Sequence, residues 1–306
     1  MSQRLFDLSE FAELYTDHKL QSQQMAARLQ SIGLPSFAAR GARMMNCNSI
    51  VGGQLCPSCK RFHTTNASLC RDRLCPNCGW TLAHKRALAM FDAISELSEQ
   101  YDLAVIHVVL TVRHDSAAEH FEASLASLNE GLQRFTSILK RQKRFRCMLG
   151  CVTSLEMLND SHGLHPHAHM LWIVKREYFD DPVTQDELCQ LWQTALHVDY
   201  KPITYIKQAY DKDGAGDFRS AVYECVKYNI KTADLLSLPS YRLAVFAQAV
   251  HRLQMFRLSG KPLKEAFKHA TEMHRESELS NCDKCGGDLY DVVLTANDLQ
   301  EVRIHE

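Results

Sequence analysis

The sequence predicts an α+β protein: a central antiparallel sheet flanked by helices, a small N-terminal zinc-binding module and a C-terminal helical region with a CxxC pair. Three observations carry that reading. Strand-like apolar runs alternate with helical periodicity between residues 100 and 235, six cysteines crowd into residues 46–86, and both ends of the chain show helical spacing.

Residues 5–31 place apolar side chains at helical spacing and stop at Gly33 and Pro35, so residues 1–45 read as a helical extension. Residues 46–90 are rich in cysteine and turn formers and poor in long apolar runs, which suits a module held by metal rather than by a large core. A helix over residues 80–99 leads into the domain of residues 100–235. There Leu103–Val112 is a continuous apolar, β-branched run, as in a strand covered on both faces. Residues 117–142 form an amphipathic pattern, and Met148–Leu158 and His165–Val174 are strands joined through Asn159-Asp160-Ser161-His162-Gly163, the composition of a hairpin turn. A helix over 184–196, a strand near 197–207 and a helix near 217–231 follow. Residues 236–306 read as helical from Pro239 to residue 276 and then reach Cys282 and Cys285.

No apolar run approaches the ~18 residues of a membrane span. The N-terminus MSQRLFDLSEFAELY lacks the basic start and apolar core of a signal peptide, so a cytoplasmic protein with no membrane partner is expected. In that compartment the twelve cysteines read as reduced thiols and the CxxC pairs point to metal rather than to disulfides, with Cys147, Cys151, Cys189 and Cys225 as small buried residues. A formal net charge of −1 conceals an uneven distribution: Arg40 to Arg86 contains eight basic residues against the single acid Asp72. Arg71, Arg73, Lys85 and Arg86 are the candidate DNA contacts of that stretch, and Lys140, Arg141, Lys143, Arg144 and Arg146 form a second basic cluster. Such runs also occur as ordinary solvated faces.

Chemistry concentrates in His165-Pro166-His167-Ala168-His169. Alternation along a strand puts the three imidazoles on one face, and two of them one pleat apart reach the same ion. The hairpin brings Glu156 to that face as a third ligand for Mn²⁺ or Mg²⁺, while His165 is a candidate for a neighbouring or phosphate-contacting role. In Glu224-Cys225-Val226-Lys227-Tyr228-Asn229-Ile230-Lys231, helical offsets put Glu224, Lys227, Tyr228 and Lys231 on one side, a phenol beside a carboxylate and two ammonium groups. Standing alone, that pattern is more often a solvent-facing helix surface. Cys56, Cys59, Cys75 and Cys78 form two CxxC pairs with the spacing of a Cys₄ zinc site, structural because four thiolates leave no open position. Cys47, His63 and Cys70 are surplus, and Cys70 with Cys282 and Cys285 is a candidate second zinc set.

Three segments in this order resemble the rolling-circle plasmid replication initiators of the HUH endonuclease superfamily: Leu110-Thr111 ends a first strand motif, HPHAH resembles the metal motif with His167 and His169 as its histidines, and ECVKYNIK resembles the nucleophile motif. CRDRLCPNC is similar to the cysteine-rich segment of such initiators. The resemblance implies an HUH-type core in which Tyr228 nicks single-stranded or hairpin origin DNA, stays linked to the 5′ phosphate and leaves a 3′ hydroxyl as primer. It implies that Glu224 activates water for the terminating cleavage, and that a host helicase and polymerase take part. Ala168 is smaller than the usual residue between the histidines, and Tyr223 offers a second phenol, one position off the Tyr228 face. An HUH-type transposase shares much of this pattern, and a non-catalytic zinc-dependent nucleic-acid-binding regulator would need only the basic cysteine-rich segment.

Overall fold

The computed structural model describes residues 6–113, 120–160, 163–209, 218–227, 232–251, 253–276, 281–282 and 284–304. In chain order the elements are β1 (Phe6–Asp7), α1 (Leu8–Gln30), α2 (Pro35–Met45), β2 (Ile50–Leu55), β3 (Arg61–Ala67), α3 (Pro76–Gln100), β4 (Leu103–Thr111) and α4 (Phe121–Arg141). Next come β5 (Met148–Asp160), β6 (Gly163–Lys175), α5 (Gln185–Leu196), β7 (Thr204–Gln208), α6 (Arg219–Val226), α7 (Thr232–Leu236) and α8 (Ser240–Ala249). The chain closes with β8 (Phe256–Ser259), α9 (Lys261–Glu276), β9 (Tyr290–Thr295) and α10 (Ala296–Ile304). Among the described residues no helix is long and apolar enough to cross a membrane.

Two compact units divide the chain. The first contains Met1–Leu82, Leu236–Ala244 and Met273–Glu306. Its sheet is antiparallel with order β1-β3-β2-β9, so a strand from the C-terminal region lies beside one from the N-terminal region. Phe11, Tyr15 and Phe62 are buried together with Leu299 of α10. Asp7 caps α1 by accepting from the Ser9 backbone N–H, which marks where the helix begins.

The second unit contains Ala83–Leu235 and Val245–Glu272, and its antiparallel sheet has the order β7-β4-β6-β5-β8. The two faces of β6 bury different sets. Leu171 and Ile173 join Val105 and Val152 beneath Met90, Ile94 and Leu97 of α3, Val222 of α6 and Leu263 of α9. On the opposite face Trp172 stacks near Phe135 of α4, and Phe135 meets Trp192 of α5 edge-on. Gly131 allows that approach, since a Cβ there would stand 2.7 Å from Leu196 and 2.8 Å from Trp192. Removing a ring such as Phe135 from this layer would cost about 3–5 kcal/mol. α5 starts in a full capping box between Thr184 and Glu187.

Residues 236–306 depart from the helical reading. β8 interrupts the helices and pairs with β5, and β9 pairs with β2. Both strands are short, four and six residues, and backbone pairing with a distant partner rather than their own periodicity makes them strands.

Candidate metal centre

The β5–β6 hairpin has a register that sets Glu156 directly opposite His167 and Ser154 opposite His169, so these side chains share one face. Glu156, His167 and His169 are all buried. The Nε2 atoms of His167 and His169 lie 2.8 and 2.7 Å from the same oxygen, Oε2 of Glu156. Burial alone would raise the Glu156 carboxyl. The hydrogen bonds from both imidazoles and the nearby Lys227 charge outweigh it and hold the group well below the usual carboxylate range. Two nitrogens and a carboxylate oxygen converging in this way can bind a metal ion. His165 stands outside the trio, with Nε2 3.2 Å from the Val112 carbonyl.

His107 of β4 stands beside His169 on the same face of the sheet, and its place in the sequence did not single it out. Its ring is stacked on His169 at 5.4 Å, and its Nε2 is 3.1 Å from His169 Nδ1. Burial, then the adjacent His169, lower its pKa to about 4, so it is neutral at pH 7. The available signal was a lone polar residue within the apolar run LAVIHVVLT.

α6 brings a second group of charges to the same face. The Cys225 thiol lies 3.6 Å from the His169 carbonyl. Lys227 Nζ is 2.5 Å from Glu224 Oε2 and 3.2 Å from Glu156 Oε1, so one ammonium bridges the exposed carboxylate to the buried one. Burial would lower the Lys227 pKa, but the bond to Glu224 and the Glu156 charge raise it. The helix expected near 217–231 is shorter than that: α6 ends at Val226, and Lys227 has a non-helical φ of −51° and ψ of 162°. Of the helical face expected for Glu224, Lys227, Tyr228 and Lys231, the described members Glu224 and Lys227 meet, with Lys227 just past the end of the helix. Tyr228 and Lys231 lie outside the described residues. Tyr223 is exposed, with its ring edge-on to Phe91 at 5.1 Å.

In the first unit the cysteines regroup. Cys56, Cys59, Cys75 and Cys78 do not share one site: Cys75 and Cys78 gather with Cys47 and Cys70, whereas Cys56 and Cys59 gather with Cys282 and Cys285. Each set brings four sulfurs within 4.8 Å of one another, and both can bind metal. The candidate set of Cys70 with Cys282 and Cys285 is likewise divided. Around the Cys47 group, backbone N–H groups of Cys70 and Arg71 point at Cys47 and Cys78 sulfurs at 3.4 and 3.2 Å. Buried Lys19 donates to the Cys47 carbonyl at 2.6 Å, placing an ammonium beside the thiols. Asp72, the one acid of the basic stretch, is buried against Arg40 at 2.8 Å and accepts from the Leu74 N–H at 3.0 Å, which braces the loop between Cys70 and Cys75. Arg40 and Asp72 thus leave the surface charge of that stretch.

Arg71, Arg73 and Lys85 are exposed. Arg86 is half-buried and lies over the Phe256 ring at 4.3 Å. Of the second basic cluster, Arg144 is committed to Asp181 and Glu187.

Comparison with known proteins gives the family. The chain is 30% identical over 181 residues to a "Protein rep" of Lactiplantibacillus plantarum, covering 56% of each chain. It is 28% identical over 232 residues to one of Bacillus amyloliquefaciens (71% of this chain, 67% of the relative). A third, of Streptococcus pneumoniae, is 28% identical over 243 residues (77% of this chain, 70% of the relative). The chain thus spans just over half the length of the first of these relatives. No solved structure matches it. A family model described as replication protein (Rep_1) matches residues 61–294, most of the chain and all three motifs, and the chain belongs to that replication protein family.

Proposed function

We propose that this protein nicks and rejoins single-stranded DNA at a plasmid origin, with an HUH-type core and Tyr228 as nucleophile. The observation that supports this most is the Glu156–His167–His169 trio with the Lys227–Glu224 pair set against it. Opening a phosphodiester is one way to supply a primer end for replication, and two imidazoles with a carboxylate are donors suited to a divalent metal that assists phosphoryl transfer. Glu156, His167 and His169 would hold Mn²⁺ or Mg²⁺, which would supply charge stabilisation at the phosphate.

The chain's own groups do the rest. The Tyr228 phenol gives up its proton to solvent and its oxygen attacks phosphorus; a phosphotyrosine bond forms to the 5′ side, the bond from phosphorus to the 3′ oxygen breaks, and that oxygen takes a proton from solvent to become the hydroxyl that primes synthesis. Lys227, with Lys231, favours the ionised phenol and offsets phosphate charge. Glu224 takes the proton of the water that ends the cycle. His107 keeps the His169 ring oriented through its second nitrogen, a positioning task. Arg71, Arg73, Lys85 and Arg86 contact the DNA backbone, Cys47, Cys70, Cys75 and Cys78 would hold a structural zinc, a host helicase unwinds the duplex and a host polymerase extends the primer.

The test is covalent capture on a labelled single-stranded origin oligonucleotide with Mn²⁺. Tyr228→Phe should yield no adduct, and Glu224→Ala should form it but release product about 10²–10⁴-fold more slowly, so that adduct accumulates. Equal loss of the first nick in both variants would make Glu224 a partner of the nucleophile instead. An adduct on Tyr223 would overturn the assignment.

A further inference from the structure

The four sulfurs of Cys56, Cys59, Cys282 and Cys285 come from segments more than 220 residues apart, with Cys56 and Cys285 at 3.5 Å and Cys59 and Cys282 at 3.3 Å. The two contributing segments are closed by the same pair of backbone hydrogen bonds. In the first, Lys60 N–H donates to the Cys56 carbonyl at 2.9 Å and Cys56 N–H donates to the Arg61 carbonyl at 2.8 Å. In the second, Gly286 N–H donates to the Cys282 carbonyl and Cys282 N–H to the Gly287 carbonyl, both at 2.8 Å. The residue after the second cysteine takes a left-handed φ in both, 54° at Lys60 and 69° at Gly286. Left-handed backbone is unfavourable for a lysine, and its use at the position where the other knuckle has glycine shows one geometry built twice.

We infer that these two knuckles clasp a second structural zinc ion, separate from the Cys47 group, and that this ion holds the C-terminal segment onto the N-terminal sheet. A tetrahedral ion with Zn–S bonds near 2.3 Å sets its sulfurs about 3.8 Å apart, and the cluster needs only small adjustment to reach that. Binding displaces the four thiol protons to solvent and forms four Zn–S bonds, which leaves no position for substrate. All eight cysteines involved are free thiols, so none is committed to a disulfide. The ligand sets of the two groups share no residue.

The clasp sits where it bears on the fold. Leu55, immediately before Cys56, pairs with Tyr290, five residues beyond Cys285, so the ion closes the end of the β2–β9 ladder. Without the clasp, β9 is held by its ladder to β2 and by half-buried Val292 and Leu294 against the core of Phe11 and Phe62. No residue of β9 is buried, and Val293 is 69% exposed. Leu299 of α10 is the segment's one fully buried apolar side chain among the described residues after β9 begins. The Cys47 group, in contrast, draws its ligands from residues 47–78 alone and does not need the C-terminal segment.

Zinc content of the full-length chain purified under reducing conditions tests this, measured by mass spectrometry of the metal. Wild type should carry two zinc ions per chain. Cys282→Ser/Cys285→Ser and Cys56→Ser/Cys59→Ser should each carry one, and the variant with all four serines should still carry one. The retained ion reports that the rest of the unit has folded. Hydrogen exchange should speed up across residues 290–295 in Cys282→Ser/Cys285→Ser and remain slow in α1. One zinc in wild type, two in Cys282→Ser/Cys285→Ser, or unchanged exchange at β9 in a variant that has lost an ion would each overturn the clasp. Loss of both ions from Cys282→Ser/Cys285→Ser would overturn its independence from the Cys47 group.

Discussion

The Glu156–His167–His169 trio and the two cysteine groups solve the same problem, holding donors at bonding distance, in opposite ways. The trio comes from one hairpin, its members 11 and 13 residues apart, fixed by strand register and by a buried carboxylate that both imidazoles address. The Cys56 group joins residues 223 and 229 apart and has little core beneath it. A site on paired strands inherits its geometry from a fold that is stable anyway. A site that bridges distant segments is part of what makes its fold stable. Metal should therefore matter for chemistry in the second unit and for integrity in the first.

The largest effect that separates them should come from the trio. His167→Ala or His169→Ala should lower nicking of a single-stranded oligonucleotide by at least about 10²–10³-fold, the scale of losing a group that stabilises transition-state charge. Zinc content, oligonucleotide binding and the thermal transition of the second unit should hold. A fall in zinc content would break the division of labour.

The counterpart in the first unit is its response to metal loss, read as stability rather than as rate. Structural zinc contributes apparent binding energies of about 10–16 kcal/mol in small modules, so chelation or Cys75→Ser should unfold this unit first. Calorimetry should show its transition move down or disappear while that of the second unit stays. Metal-free protein with an unchanged melting profile would refute this.

His107 sharpens the comparison within the trio itself. His107→Ala should weaken Mn²⁺ binding by about 10–100-fold, the usual cost of removing a ligand's orienting partner, and His107→Gln should recover part of it. Paramagnetic resonance titration of Mn²⁺ reads this without turnover; equal affinity in all three proteins would remove His107 from the site.

The smallest effect is on acid stability. Glu156 is held below the usual carboxylate range in the folded protein, so on acidification the unfolded chain takes up the proton first. Its contribution is complete above the unfolded value and lost as pH falls through the lower folded value. Urea midpoints of the metal-free protein should drop across the acid range more steeply than those of Glu156→Gln. Parallel curves would show that the carboxylate is not paired as described.

Much of the second unit could be read along the chain. Alternation in HPHAH put His167 and His169 on one face, the turn after Leu158 put Glu156 opposite them, and the apolar run from Leu103 marked a central strand. His107 escaped because a histidine within such a run is read as core until its neighbour across the ladder is known.

By itself the sequence determined which residue types face which way along each strand and helix, because side-chain direction follows local backbone period. It also determined that CxxC pairs exist, since each knuckle is a local turn. Only the tertiary structure decided which cysteine pairs come together, where β8 and β9 find partners, and that α6 ends at Val226. Those outcomes depend on contacts between segments hundreds of residues apart, and on Lys227 turning from the helix toward Glu156, which no local spacing encodes.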